Sequence, residues 1–214
     1  MNRTLTSLLA TIALAALVLT GCTPDPVVSQ TMTDYIDATQ IPYQENLEED
    51  DPILKTIDGI NLSIHPVAYY EISAVVLSTK SYSRGWQGEL APRDLALAWG
   101  ELSDPANREH ITFKQRGRWY HYRYTADFPH DVNFIIHQSA NNHIIPATDN
   151  IRYALETIEE GDKIYIEGYL VKIFGNKAGQ KYWWHSSTRR EDSGDGSCEI
   201  IYTEKLRINQ NLYL

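Results

Sequence analysis

Hydrophobic and polar positions divide this chain into three stretches. Residues 5–19 contain only Leu, Ala, Val, Ile and Thr apart from one Ser, residues 23–54 are polar and acidic, and the remainder alternates in short runs. The first stretch is shorter than the roughly 20 apolar residues that span a bilayer. These patterns predict a signal peptide over 1–21, an N-terminal cysteine with a disordered tether over 22–54, and one β-rich domain over 55–214.

β-Rich runs dominate the third stretch. Two of them flank Asp58-Gly59, a dipeptide that favours a two-residue hairpin turn. The other predicted strands, each rich in β-branched or aromatic residues, are 67–83, the hairpin 110–125 turning at Arg116-Gly117, 131–138, the run through Ile164 and Ile166, 181–187 and 198–208.

Two segments show helical spacing. The first lies near residues 92–101, with Pro92 in its first turn, and its apolar face contains Leu95, Ala98, Trp99 and Leu102. The second begins after Thr148 or Asp149 and ends at Gly161. Its apolar face is formed by Ile151, Leu155 and Ile158.

The order of these elements indicates a fold class. Gly168 predicts a bulge or tight bend in the strand after the second helix. Several strands, one helix of three turns and a glycine-interrupted strand are typical of a small antiparallel barrel. The order resembles the OB-fold, in which a helix separates the third and fourth strands. We expect a mainly β domain with one or two helices (α+β); a more general antiparallel α+β domain is the alternative.

The end of the apolar run carries a specific motif. Arg3 precedes the run, and Leu19-Thr20-Gly21-Cys22 closes it. This tetrad resembles the lipobox of bacterial lipoprotein precursors. The resemblance implies cleavage before Cys22, a diacylglycerol on its sulfur and an acylated amine, so the membrane partner would be reached through the lipid. Since Thr23 is not aspartate, the resemblance favours the outer membrane, facing the periplasm, if the host is Gram-negative.

Charge is concentrated in the predicted tether. The formal net charge is -9, and residues 23–54 contain eight acidic side chains and no Lys or Arg, whereas residues 55–214 hold 20 acidic and 18 basic side chains. Such acidic, low-complexity sequence favours disorder; packing of residues 35–43 onto the domain as an extra strand is the alternative. The nearly neutral domain makes nucleic acid an unfavourable partner, because binding it relies on basic residues.

Two polar segments could carry chemistry. They are 137–147 and 183–199, and they bring histidine, serine, cysteine and carboxylates into the same domain. The catalytic candidates for a nucleophile with a histidine base are His143, His185, Ser186, Ser187 and Cys198. The binding candidates are Asn142, His143, Arg189, Asp192, Asp195 and Glu199. The alternatives are that Cys198 is a small buried residue and that residues 192–196 form an ordinary turn.

Neither a metal nor a cofactor is predicted. The histidines at 137 and 143 lie in a predicted loop, and there is no HExxH motif or cysteine pair. The sequence 191–196 is similar to a calcium loop, but the position that should close it with a carboxylate is Tyr202.

Aromatic residues favour recognition as the function. The chain has 14 Tyr and five Trp, and these side chains are frequent at recognition surfaces; half-buried strand positions are the alternative. The first hypothesis is a non-catalytic lipoprotein of the bacterial cell envelope that binds a protein, peptide or glycan. The second is a hydrolase acting on an envelope polymer, and the third is an oligonucleotide-binding barrel.

The body also resembles a family of bacterial envelope proteins with no established activity. The segments that carry this resemblance are "LAPRDLALAWG", "NNHIIPA" and "SSTRREDSGDGSCE". The resemblance implies an envelope location and leaves the three functional hypotheses open.

Overall fold

The computed structural model describes residues 24–48, 51–189 and 196–214. Strands account for most of its regular structure, with short helices between them, so the chain has a mainly β, α+β fold. The strands are β1 Gln30–Thr31, β2 Tyr43–Asn46, β3 Ile53–Ile57, β4 Ile60–Ser81, β5 Arg93–Ala98, β6 Ile111–Arg116, β7 Trp119–Tyr124, β8 Ser139–Pro146, β9 Lys163–Lys177, β10 Gln180–His185, β11 Glu199–Ile208 and β12 Asn211–Tyr213. The α-helices are α1 Gly85–Leu90, α2 Pro105–Arg108, α3 Val132–Ile136 and α4 Asp149–Glu156, and a 3₁₀ turn spans Gly100–Ser103.

Five strands form a continuous circuit of pairings. β4 pairs with β5, β5 with β8, β8 with β11, β11 with β9, and β9 with β4. Only β8 and β11 run parallel to each other. The main hydrophobic core lies among these strands and α4, and includes Leu95, Trp99, Ile151, Leu155 and Ile166.

The long strands β4 and β9 continue beyond this circuit as a four-stranded antiparallel sheet. In this distal sheet, β3 pairs with the first part of β4, and β10 pairs with the last part of β9. One face of the distal sheet contributes Leu62, Ile64 and Ile173 to a second core, which also contains Leu90 of α1 and Ile145 of β8. The opposite face has no such cover at Leu54, Phe174 and Trp183, which are exposed.

The β3–β4 hairpin and α4 confirm two sequence predictions. Asp58 and Gly59 form the hairpin turn with positive φ angles of 52° and 73°, as the Asp-Gly dipeptide predicts. Thr148 is the N-cap of α4 and its hydroxyl accepts a hydrogen bond from Ile151 N at 3.2 Å. The helix ends at Glu156, five residues before Gly161.

The predicted helix near residues 92–101 is wrong, because Arg93–Ala98 is strand β5. Leu95 and Leu97 pack into the main core, whereas Ala96 and Ala98 pack on the other side against a third core beneath the β6–β7 hairpin. A strand that is buried on both faces lacks alternating polar and apolar positions. The continuous apolar residues of β5 therefore also matched the spacing of an amphipathic helix.

Two further local predictions are wrong. Residues 132–136 form helix α3 rather than a strand, since the Asp131 carboxylate caps the backbone N–H groups of Asn133 and Phe134. The polar segment 137–147, predicted to be a loop, contains strand β8.

Gly168 does not interrupt β9, which continues through it. The irregularity lies instead on the partner strand, between Thr203 and Lys205 of β11. A Cβ at Gly168 would lie 2.0 Å from the carbonyl oxygen of Tyr202. The glycine is therefore required by the close approach of a neighbouring backbone.

Much of the predicted tether packs against the domain. β1 pairs with β12, β2 pairs with β4, and Ile36 and Ala38 between them are buried. The predicted disorder is therefore wrong for residues 24–48. The alternative, an extra strand over 35–43, is also not observed, because the residues that pair with the domain are 30–31 and 43–46. Cys22 and residues 49–50 lie outside the described residues.

Candidate functional site

A buried polar cluster lies on the outward side of β5 and β8. Asp94 and His143 are directly opposite each other in the register of these strands, and their relative exposures are 0% and 3%. His143 Nδ1 lies 2.8 Å from Asp94 Oδ1. We call Asp94, His143 and Arg118, together with Asn141 and Cys198 beside them, the polar cluster.

Arg118 closes the polar cluster from the turn of the β6–β7 hairpin. Gly117 and Arg118 form this turn with positive φ angles, one residue later than predicted. Arg118 Nη1 donates to Asp94 Oδ1 at 2.6 Å and to the Ala91 carbonyl at 3.0 Å. Its guanidinium lies 3.8 Å from the ring centroid of Tyr82, a cation–π distance. These contacts fasten the hairpin over β5.

The second polar segment lies beside the first. Parallel pairing of β11 with β8 places Glu199 opposite Asn142. Asn141 Nδ2 lies 3.8 Å from Cys198 Sγ and donates to the Arg118 carbonyl at 3.1 Å. The structure therefore brings the candidate residues His143 and Cys198 into one region, although the sequence separates them by 55 positions.

The two candidate serines use their hydroxyls to hold the backbone. Ser186 Oγ accepts from Ile200 N at 3.0 Å and donates to the Ser187 carbonyl at 2.8 Å. Ser187 Oγ donates to the Arg189 carbonyl and accepts from Arg189 N, both at 3.0 Å. These bonds connect β10 to β11 and fix the start of the following loop.

The remaining candidate residues have different surroundings. His185 lies on the exposed face of β10, with its ring 5.0 Å from that of Phe174, and Asn142 Nδ2 donates to the backbone carbonyls of Leu95 and Ala140. Glu199 is buried and Arg189 is exposed. Asp192 and Asp195 lie outside the described residues.

Three residues of this region were not predicted from the sequence: Asp94, Arg118 and Trp184. The ring of Trp184 lies 4.8 Å from that of His143 and 6.0 Å from that of Trp86. A signal existed for Asp94, since it is the one acidic residue inside the apolar run 90–99 and buried charges need a partner. Arg118 carried no comparable signal, because only the folded hairpin brings it to Asp94.

Burial alters the acidity of tyrosines around the cluster. Desolvation raises the pKa of Tyr82, with nearby Asp94 adding to the increase and Arg118 opposing it. Burial also raises the pKa of Tyr120 to about 12, and its hydroxyl lies 3.2 Å from Ser139 Oγ. Both phenols are therefore neutral at physiological pH, as their positions between packed elements require.

The Asp94–His143 pair has one feature of hydrolytic sites. A carboxylate on Nδ1 orients a catalytic imidazole and leaves Nε2 to act on a nucleophile. Here the His143 ring is nearly fully buried and packs against Trp184, while the serine hydroxyls bind backbone groups. This arrangement is suited to locking the hairpin and the β10–β11 connection onto β5 and β8.

An exposed apolar surface lies on the outward face of the distal sheet. The register places Leu54, Ser63, Phe174 and Trp183 in one row across β3, β4, β9 and β10. Relative exposures are 75% for Leu54, 45% for Phe174 and 68% for Trp183. The row lines an open groove of about 770 Å³, which we call the aromatic groove.

Polar and cationic side chains border the aromatic groove. Asn61, Asn176 and Lys181 occupy the neighbouring row on one side. His65, Lys172 and His185 occupy the row on the other side, and both histidine rings pack edge-on against Phe174. The groove therefore combines apolar area with hydrogen-bonding groups and positive charge.

Two other classes of site are absent from the described residues. Within residues 24–48, 51–189 and 196–214, no group of three metal-ligating side chains is close enough to hold an ion. No helix in those same ranges has the length and apolar character needed to cross a bilayer.

Comparisons with known proteins add no relative from which a function could be transferred. No protein-family model matches the chain, and no curated protein or solved structure is significantly similar to it.

Proposed function

We propose that this chain is a lipid-anchored protein of the bacterial cell envelope whose folded domain binds an envelope partner without catalysis. The partner is a protein, peptide or glycan, and the aromatic groove is the binding surface. The observation that carries this proposal is the exposed row Leu54, Phe174 and Trp183 on a sheet whose other face is already packed.

The pairing circuit supports an OB-like barrel as the framework of this domain. Five strands pair in the order β4–β5–β8–β11–β9 and return to β4. Helix α4 lies in the chain between β8 and β9. These are the third and fourth of the five strands in chain order, where the OB-fold places its helix. In the proposed barrel, the distal sheet is an extension of β4 and β9.

The composition of the aromatic groove supports recognition. Tryptophan and tyrosine recur at interface centres, because a rigid aromatic ring offers a large contact area with little loss of conformational entropy. Trp183 is an exposed tryptophan on an edge strand, and Phe174 lies next to it in the register. A row of large apolar side chains in water is more simply explained by a partner than by the fold itself.

The polar cluster supports a non-catalytic role for the buried residues. Its hydrogen bonds connect Arg118 to Asp94 and Asn141 to Arg118, so they hold three chain segments together. The hydrolase alternative is favoured by one observation, the Asp94–His143 pair. It ranks second because the hydroxyls of Ser186 and Ser187 are committed to the backbone.

The covered face of β5 and β8 argues against the oligonucleotide-binding alternative. OB-folds bind oligonucleotides on the face of their second and third strands, which correspond to β5 and β8 here. On this face Asp94, Asn141 and His143 are buried beneath the chain's own β6–β7 hairpin. Residues 55–214 carry nearly equal numbers of acidic and basic side chains, whereas nucleic-acid binding relies on basic ones.

Anchoring rests on Cys22. Cleavage before it and acylation would attach at least two acyl chains, and each buried methylene contributes about 0.8 kcal/mol to membrane affinity. With Thr23 at the next position, the outer membrane facing the periplasm is the proposed location in a Gram-negative host.

Photocrosslinking from the aromatic groove tests the binding proposal. A photoactivatable phenylalanine analogue at position 183 in living cells should give a defined crosslinked species, at least fivefold above that from position 124, where Tyr124 is also exposed. Phe174→Ala should reduce this yield severalfold, because the neighbouring ring completes the surface. It should change the free energy of unfolding by less than about 1 kcal/mol, as is usual at exposed positions. Equal yields from positions 183 and 124 would exclude the groove as the binding surface.

A further inference from the structure

The side chain of Asn150, at the first turn of α4, hydrogen-bonds the N-terminal segment at Val27. Asn150 Oδ1 accepts from Val27 N at 2.7 Å, and Nδ2 donates to the carbonyls of Val27 at 2.9 Å and Leu214 at 3.2 Å. We call these three hydrogen bonds the Asn150 clamp. Beyond it, Ser29 N donates to the Leu212 carbonyl at 2.8 Å, and β1 pairs with β12.

The Asn150 clamp shortens the connection between Cys22 and the domain. A residue spans at most about 3.6 Å of extended chain, so the Cys22 backbone can lie no more than roughly 18 Å from Val27. A flexible tether over residues 22–54 would have allowed a separation of about 30 Å. The shorter connection forces the α4 end of the domain to stay near any lipid carried by Cys22.

Exposed apolar side chains lie at that same place. Val27 is 71% exposed, Val28 41% and Leu214 48%. They flank the clamp, since Val27 and Leu214 both contribute carbonyl groups to it. Asp25 and Asp149, the acidic residues adjacent in sequence to the clamp, are exposed.

We propose that the domain rests directly on the bilayer, with Val27, Val28 and Leu214 against the lipid interface. This inference rests on the proposed lipidation of Cys22, because the acyl chains bring this patch to the membrane. Burial of apolar area in the interface favours this contact.

The opposite end of β8 provides a matched reference position. β8 has eight residues, which span about 26 Å at 3.3 Å per residue; α3 precedes this strand and α4 follows it. Val132 of α3 is 37% exposed. It is therefore an exposed apolar residue that should stay away from the membrane when the α4 end is in contact.

Lipid photocrosslinking tests the contact. The acylated full chain, with its acylation verified by mass spectrometry, is bound to phosphatidylcholine vesicles and carries a photoactivatable phenylalanine analogue at position 214 or 132. Crosslinking to phospholipid should be at least fivefold higher from position 214.

Two substitutions distinguish the effect of the Asn150 clamp from the effect of the lipid anchor. Asn150→Ala should leave the chain bound to the vesicles but lower the yield from position 214 at least twofold, because the connection to Cys22 becomes longer. Val27→Asp should lower it as well. Equal yields from positions 214 and 132 in the vesicle-bound chain, or no effect of Asn150→Ala, would overturn the inference. Failure of acylation would instead be seen beforehand, as a chain without lipid mass that does not bind vesicles.

Discussion

Replacing Asp94 with alanine is expected to lower the free energy of unfolding by about 3–5 kcal/mol, the usual effect of breaking a buried ion pair from one side. The Asp94 carboxylate is fully buried. Its Oδ1 lies 2.6 Å from Arg118 Nη1 and 2.8 Å from His143 Nδ1. In the alanine variant, the Arg118 guanidinium would keep its charge but lose the carboxylate with which it pairs. Urea denaturation followed by tryptophan fluorescence measures the change, since Trp184 lies beside the cluster.

Two further variants control this prediction. Asp94→Asn retains the shape and one acceptor oxygen but removes the charge, so its effect should be smaller than that of alanine. Glu160→Ala removes an exposed carboxylate and should change stability by less than about 0.5 kcal/mol. A loss below about 1 kcal/mol for Asp94→Ala would show that the polar cluster does not hold the hairpin in place.

Gly168→Ala is expected to destabilise the domain by at least about 3 kcal/mol, at or beyond the upper end of ordinary overpacking. The added Cβ would lie 2.0 Å from the Tyr202 carbonyl oxygen and 3.1 Å from the Thr203 Cα. Both contacts are with backbone, so no side-chain rotation can relieve them. β9 and β11 would have to separate at the centre of the pairing circuit. Thermal and urea denaturation of the purified domain measure the effect.

Gly179→Ala is the matched control for this glycine. Gly179 lies in the turn before β10 with a φ of 88°, and a Cβ there would meet no atom within 4 Å. Its replacement should cost only backbone strain, about 1–2 kcal/mol. If the two alanine variants were equally stable, the close approach of the Tyr202 carbonyl would not be the reason for the glycine.

Local sequence signals were sufficient to predict an element where its structure depends on residues of the same segment. The Asp58-Gly59 turn needs positive φ angles, and both residues adopt them readily. Thr148 caps α4 through its own hydroxyl, and the apolar positions of that helix face one core. These elements could be predicted because their hydrogen bonds and periodicity lie within about ten residues.

Elements decided by tertiary contacts could not be predicted in this way. β5 is buried on both faces by cores that come from distant segments, and this removes the alternation by which a strand is recognised. β8 carries Asn141, Asn142 and His143 in the interior. Their side chains hydrogen-bond to β5 and to the β6–β7 hairpin, so a sequence that resembles a loop becomes a buried strand.

The same distinction applies to the candidate site. His143 and Cys198 were predicted from residue type alone, and β8–β11 pairing brings their segments together. Asp94 and Arg118 were missed because neither belongs to a polar segment, yet they determine what His143 bonds to. The acidic composition of residues 23–54 indicated disorder, whereas pairing with β4 and β12 depends on sequence more than 20 residues away.

The polar cluster and the aromatic groove meet in strand β10. Trp184 faces inward against His143 and Trp86. The preceding residue, Trp183, faces the groove, because successive side chains of a strand point to opposite faces. A buried cluster that fixes Trp184 thereby fixes the orientation of Trp183. In the proposed function, the buried polar cluster would therefore support the binding surface through β10.

We propose that Cys22 carries the lipid that attaches the domain to the envelope. Intact-mass and peptide mass spectrometry of the chain extracted from membranes with detergent tests it most directly. The account predicts a mature chain that begins at Cys22 and carries a diacylglycerol on sulfur and an acyl group on the new amine, with Cys22→Ala left unprocessed and unlipidated. A mature chain whose Cys22 carries no lipid, or a Cys22→Ala chain that is processed and attached like the wild type, would contradict it.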